Sequence, residues 1–170
     1  MNKIRVMCNT SPIIGLMTIG RLSLLWELFE TVYIPEAVYD ELCADSITHK
    51  DDISVIKKCI ADGKLILCKV ENRKMVESLY GRLHFGELEV IIGAKEKDIK
   101  LAVIDDLAAR KMANDVLLDT VGILGILLLA KSSGLIKTIK EEVDKLRESG
   151  YRISDRLYYD TLKRAGEVNA

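Results

Sequence analysis

Leu101-Ala102-Val103-Ile104-Asp105-Asp106-Leu107-Ala108-Ala109-Arg110, residues 101–110, decides how this chain is organised. The apolar run from Leu101 to Ile104 reads as a strand buried on both faces, and the paired aspartates mark its carboxyl end. Leu107 to Ala113 then reads as a helix. A strand that feeds directly into a helix is half of a βαβ unit, so the same alternation is expected on either side.

Working outward, Ile4 to Cys8 is a second strand, closed by the polar turn Asn9-Thr10-Ser11-Pro12. Pro12 suits the first turn of a helix whose apolar face is Ile13, Ile14, Leu16 and Met17. Ser23 is a candidate cap for a short helix through Leu28. Thr31 to Ile34 is a strand, and Pro35 opens a helix carrying Ala37, Val38, Glu41 and Leu42. Residues 51–61 read as a helix ended by Gly63, and Lys64 to Val70 as a strand. Helices over about 73–80 and 86–97 lead back to Leu101. Downstream, a short strand is expected at Val116 to Leu118 and a helix from Gly122 to about Ser132, ending at Gly134. Two more helices cover about 137–148 and, capped by Ser154, about 154–164. The expectation is an α/β fold: a central parallel sheet of about five strands, flanked by helices in three layers. One domain spans 1–170, with a core over about 4–135 and C-terminal helices over about 137–166. Open sheets of this kind bind ligands beyond the carboxyl ends of their strands, which points to Asn9 and to Asp105-Asp106.

With 49% hydrophobic and 30% charged residues, the chain is too apolar for a disordered one. A net charge of −1 excludes a bulk electrostatic footprint for nucleic acid. Any such binding must rest on a local basic rim, for which Arg21, Arg82 and Lys131 are candidates beside a plain surface role. Cys8, Cys43, Cys59 and Cys68 form no CxxC pair and read as reduced thiols, not a zinc site. Val121 to Ala130 is too short to cross a bilayer, and no signal-peptide core precedes it. The expected compartment is the cytoplasm, with no membrane partner.

Asn9 and Thr10 follow the first strand, and Asp105 and Asp106 the one that begins at Leu101. Should these strands be neighbours, the two polar turns converge. Glu41 lies on the helix after Pro35, and Glu87 in the first turn of the helix leading to Leu101. Oxygen ligands of this kind suit hard divalent cations, and phosphodiester hydrolysis uses such a metal to activate water and offset charge. Crowded carboxylates should also repel, raising at least one pKa. Each residue has a plainer reading: Asp105 or Asp106 as a helix cap, Glu87 as a first-turn charge, Glu41 as exposed helix surface, Asn9 as a turn residue. Arg110, four residues after Asp106, reads as an i,i+4 ion-pair partner or as a phosphate ligand.

The segments CNTSPIIGLMTIGRLSLLWELF, VYIPEAVYDEL, LHFGELEVIIGAKEK, LAVIDDLAARKMAN and TVGILGILLLAKSSGLI resemble, in order and spacing, a subfamily of PIN domains related to the VapC-type toxins of toxin–antitoxin pairs. The pattern is Asp-Thr-Ser-Pro-Leu, Pro-x-x-Val-x-x-Glu-Leu, Gly-Glu, Ile-Asp-Asp-x-x-Ala-Arg and Gly-x-x-Gly-Ile-Leu, and the likeness runs from about Val6 to Leu162. It implies a PIN-like three-layer fold and a metal-dependent endoribonuclease using Mg²⁺ or Mn²⁺. Glu41, Glu87 and Asp105 match family acids, Asp106 is an adjacent catalytic candidate, and Thr10 and Ser11 match hydroxyl positions that would help position substrate. Asn9, Glu87 and Asp105 are the expected metal ligands. The implied partners are RNA substrate, a small antitoxin protein and a second copy of the chain. One departure stands out: Asn9 replaces the first acid. An amide oxygen ligates metal without charge and cannot serve as a base, so activity should be impaired, whether Asn9 is natural or was introduced to silence a toxic enzyme. The alternative is a weak or inactive PIN-fold module that binds RNA or a protein. A receiver or a haloacid-dehalogenase-type phosphatase would need acids beside the first strand that Cys8-Asn9-Thr10-Ser11 does not supply.

Overall fold

The computed structural model describes residues 4–44 and 49–168. The apolar runs become β1 (Arg5–Cys8), β2 (Thr31–Pro35), β3 (Ile66–Cys68), β4 (Leu101–Val103) and β5 (Asp119–Val121). Every strand pairing is parallel, in the order β3-β2-β1-β4-β5. Val6, Met7 and Cys8 of β1 and Ala102 and Val103 of β4 are fully buried, as strands covered on both faces must be. The result is the expected three-layer α/β arrangement.

Helices fill the connections: α1 (Thr10–Thr18) and α2 (Leu24–Leu28) between β1 and β2, α3 (Glu36–Leu42) and α4 (Lys50–Ala61) between β2 and β3, and α5 (Arg73–Leu79) and α6 (Phe85–Glu96) between β3 and β4. Next come α7 (Leu107–Asp115), α8 (Ile123–Ser132), α9 (Lys140–Glu148) and α10 (Asp155–Arg164). Buried from Leu88 through Ala94, α6 packs against β1, β2 and β4 and against α3 and α5. Helices α1, α2 and α10 gather around α8. The C-terminal pair is pinned to this group by Glu167, which accepts hydrogen bonds from Ile139 N (2.7 Å), Lys140 N (2.8 Å) and Lys131 Nζ (2.7 Å).

Four local expectations change. Ser23 is helical in its own backbone and makes no side-chain cap, whereas Ser154 accepts from Leu157 N at 3.2 Å as foreseen. The strand foreseen at Val116 to Leu118 lies instead at Asp119–Val121. Leu117 takes φ 59° and Leu118 N returns to Ala113 O, so the apolar triplet closes α7 before the chain reaches the sheet. The strand foreseen over Lys64 to Val70 shortens to Ile66–Cys68, and the helix foreseen from 137 begins at Lys140, where Glu167 meets its first free N–H groups.

Candidate functional site

Because β1 sits between β2 and β4, the chain runs from β1 toward one edge of the sheet and later returns to build the other. The reversal falls between β1 and β4, and it opens a crevice at their carboxyl ends. Asn9 follows β1, and its backbone N–H donates to Val103 O at 3.0 Å, extending the β1–β4 ladder to the crevice floor. Its side chain makes no helix-capping bond, is 5% exposed, and leaves Oδ1 buried with no protein donor among the described residues. An unmatched buried acceptor of this kind costs about 1–3 kcal/mol.

Two neighbours place Glu41 beside it. The Thr10 hydroxyl donates to Glu41 Oε2. On the other side, the carboxylate lies against the first turn of α6, where a Cβ on Gly86 would come within 2.5 Å of Glu41 Oε1. The glycine of the Gly-Glu pair therefore makes room for an acid from α3. The next residue, Glu87, turns back so that Oε2 accepts His84 N at 3.0 Å. Burial pushes the Glu87 carboxyl up, against the lowering pull of the His84 N–H, and the charges of Asp106 and Glu41 add to the rise. Asn9, Thr10, Ser11, Glu41, His84 and Glu87 line one cleft of about 450 Å³, with Tyr80 and Phe85 at its rim.

Asp105 faces a different space. It lines a neighbouring groove of about 870 Å³ with Arg110, Thr120 and Tyr151. Its Oδ1 accepts Ile123 N at 2.8 Å, at the start of α8, and its Oδ2 accepts the Tyr151 hydroxyl. A Cβ on Gly122 would lie 2.7 Å from Oδ1, so a second glycine is shaped around a second acid. Burial raises the Asp105 pKa, opposed by Tyr151, Ile123 N and the Arg110 charge. Mutual repulsion was the expected cause of raised carboxyls, but burial comes first at both residues and repulsion is a lesser contribution confined to Glu87. Asp106 caps α7 through Ala109 N at 2.8 Å, and it shares a third hollow with Glu87 and Arg82.

Arg110 makes no ion pair with Asp106 among the described residues, because that carboxylate is turned onto the helix start. Its Nε donates to Thr120 Oγ1 at 3.3 Å instead. Ser11 is exposed at the cleft edge. The cysteines are all free, Cys8 and Cys68 being buried and Cys43 and Cys59 half-buried. Sequence reasoning missed Tyr151, which lies between two helices with no motif around it. It also passed over His84, Tyr80 and Phe85, whose only signal was their closeness to the Gly-Glu pair.

Asn9 Oδ1 and the carboxylates of Glu41 and Glu87 present oxygen to this cleft, which is what a hard divalent cation requires. Among the described residues, no three Asp, Glu, His or Cys side chains are grouped to hold an ion. Mg²⁺, however, takes one or two carboxylates and completes its shell with water. Glu41 and Glu87, with the unpartnered Asn9 Oδ1 between the strand and the two helices, meet that lower demand, so the residues fit a cation. No helix among the described residues is long and apolar enough to cross a membrane. Comparison with curated proteins and with solved structures finds no match. A family model for the PIN domain does match, over residues 5–167, which takes in every strand and every acid of the crevice; the chain belongs to the PIN-domain family.

Proposed function

We propose that this chain is a divalent-metal-dependent endoribonuclease whose activity is lowered by Asn9, and that it acts as the toxin of a two-component pair held in check by a small antitoxin protein. Family membership supports a nuclease fold. The observation that carries the rest is Asn9 Oδ1: a buried acceptor that no donor among the described residues reaches, in the same cleft as two carboxylates, at the switch point of the sheet.

Asn9 Oδ1, Glu41 and Glu87 would hold Mg²⁺ or Mn²⁺ from the cleft, and Asp105, in the neighbouring groove, would reach the ion only by giving up one of its two donors. When bound, the metal would lower the pKa of water and offset charge on the phosphoryl oxygens. The protein's own contributions follow from their contacts. Thr10 fixes the rotamer of Glu41. Glu87 keeps Oε1 clear of its capping bond, which leaves that oxygen to face a cation or the water bound to it. Water adds to phosphorus and loses a proton to solvent as the bond to the leaving ribose oxygen breaks, and that oxygen takes up a proton from solvent in turn. Asp106 acts on Glu87 through charge, while Thr10 and Ser11 offer hydroxyls at the entrance and Arg110 a cation in the adjoining groove.

Asn9→Asp tests this reading directly. Restoring the charge should tighten Mn²⁺ binding and raise cleavage of RNA by about 10- to 100-fold or more, with the gain lost on adding Glu87→Gln or Asp105→Asn. A second reading, a PIN-fold module that binds without cutting, draws on the neutral Asn9 and on the donors that occupy both oxygens of Asp105. A folded Asn9→Asp protein that binds metal and leaves varied RNAs intact would favour that module.

A further inference from the structure

At the rim of the acidic cleft, the rings of Tyr80 and Phe85 stack with centroids 4.1 Å apart and planes 11° from parallel. Aromatic side chains normally enter the core, yet Tyr80 is 57% and Phe85 39% exposed. The pair is held by the backbone: Gly81 takes φ 96°, Tyr80 and Leu83 are bridged across the turn, and Phe85 is the first residue of α6. Both rings line the acidic cleft, and each also lines a hollow the other does not reach, Tyr80 beside Arg82 and Phe85 beside Lys69. In the same turn, exposed Arg82 has no ion pair among the described residues, and it lines a hollow with Tyr80, Glu87 and Asp106.

We propose that Tyr80 and Phe85 form a platform for one unpaired nucleobase of single-stranded RNA, and that Arg82 takes a phosphate next to that base. This rests on the RNA reading of the cleft and adds the residues that would hold the strand beside it. A base within a duplex has both faces covered by its neighbours, so only an unpaired base can lie on an outer ring face. Stacking needs no particular base, because every base offers a π face. Charge complementarity also singles out this edge. Arg82 is exposed and supplies a cation beside the platform, in the hollow that leads to Glu87 and the cleft.

The test measures binding of a fluorescent ten-nucleotide single-stranded RNA to the whole chain in Mg²⁺ by anisotropy, with electrophoresis confirming intact RNA. Parallel measurements use a duplex of the same sequence and oligonucleotides with one abasic site at successive positions. Tyr80→Ala should weaken single-strand binding by roughly 5- to 100-fold without shifting the melting temperature, and Tyr80→Trp should retain it. One abasic position should weaken binding to the parent by a similar factor and have no effect on Tyr80→Ala, since the two changes remove the same contact. Arg82→Ala should lessen the salt dependence of binding. A parent that binds RNA as tightly as Tyr80→Ala does would overturn the platform and leave the RNA reading intact. A loss in Tyr80→Ala that no abasic position reproduces would also overturn it, by showing that the ring meets no base. Failure of the parent to bind RNA at all would remove both, and Tyr80-dependent self-association in light scattering would then assign the rings to a protein contact.

Discussion

Glu87 serves two opposed demands. It caps the start of α6, which any acceptor could do, and it keeps a half-buried carboxylate beside Glu41 and Asp106, which the fold disfavours. Because its folded pKa lies above the unfolded value, the charged form is penalised in the folded protein. That penalty is absent below the ordinary glutamate value of about 4.5 and complete above the folded pKa, so Glu87 lowers stability as pH rises through that window. Glu87→Gln keeps an oxygen for His84 N and removes the charge. It should therefore equal or exceed the parent in stability at pH 7, with the difference closing toward pH 4.5, as followed by urea unfolding across pH. A variant less stable than the parent by the same margin at every pH would show that Glu87 matters to the fold by shape alone. At this scale the sequence showed which acids to examine, since Glu41, Glu87 and Asp105 each stand beside a motif letter. It did not show why Gly86 and Gly122 accompany them: the reason is an approach between side chains from helices and strands distant in the chain.

Elements were legible where periodicity and turn residues agreed, as in β1, β4, α6 and α8. They were misread where apolar residues serve a turn. Val116, Leu117 and Leu118 look like a strand, yet only Leu118 is buried, and Leu117 is 87% exposed with a left-handed backbone. The strand three residues later, Asp-Thr-Val, carries little β signal alone. It forms because Leu101, Ala102 and Val103 offer it a parallel edge. That register matters to the site, since the bond from Ile104 N to Val121 O brings Gly122 and the start of α8 onto Asp105. A left-handed leucine is disfavoured by roughly 1–2 kcal/mol, and glycine adopts this conformation freely at some entropic cost in the unfolded chain. Leu117→Gly should therefore stabilise the protein by up to about 1 kcal/mol, read as a higher urea midpoint at unchanged slope. A lower midpoint would mean that the exposed leucine makes contacts its accessibility does not suggest.

Across the whole molecule, the C-terminal helices and the crevice are joined through one hydroxyl. Tyr151 lies between α9 and α10, and a Cβ on Gly15 would come within 2.9 Å of its ring, so α1 leaves it room. The Tyr151 hydroxyl donates to Asp105 Oδ2, and burial together with the Asp105 charge pushes its own pKa up. Tyr151→Phe leaves that carboxylate oxygen buried without its donor, which should cost about 1–3 kcal/mol at neutral pH. The hydrogen bond favours the ionised carboxyl, so its contribution is present above the Asp105 pKa and fades as pH falls through it. The loss should accordingly shrink in acid. A bound metal would narrow the gap between the two proteins, because an oxygen freed of its donor is more available to a cation and a ligand stabilises the fold by RT ln(1 + [L]/Kd). Millimolar Mn²⁺ should thus raise the melting temperature of Tyr151→Phe by more than that of the parent, and Asp105→Asn should abolish the extra rise. Equal increments in all three proteins would place Asp105 outside the metal site and leave its bond to Tyr151 as a fastening between the sheet and the C-terminal helices.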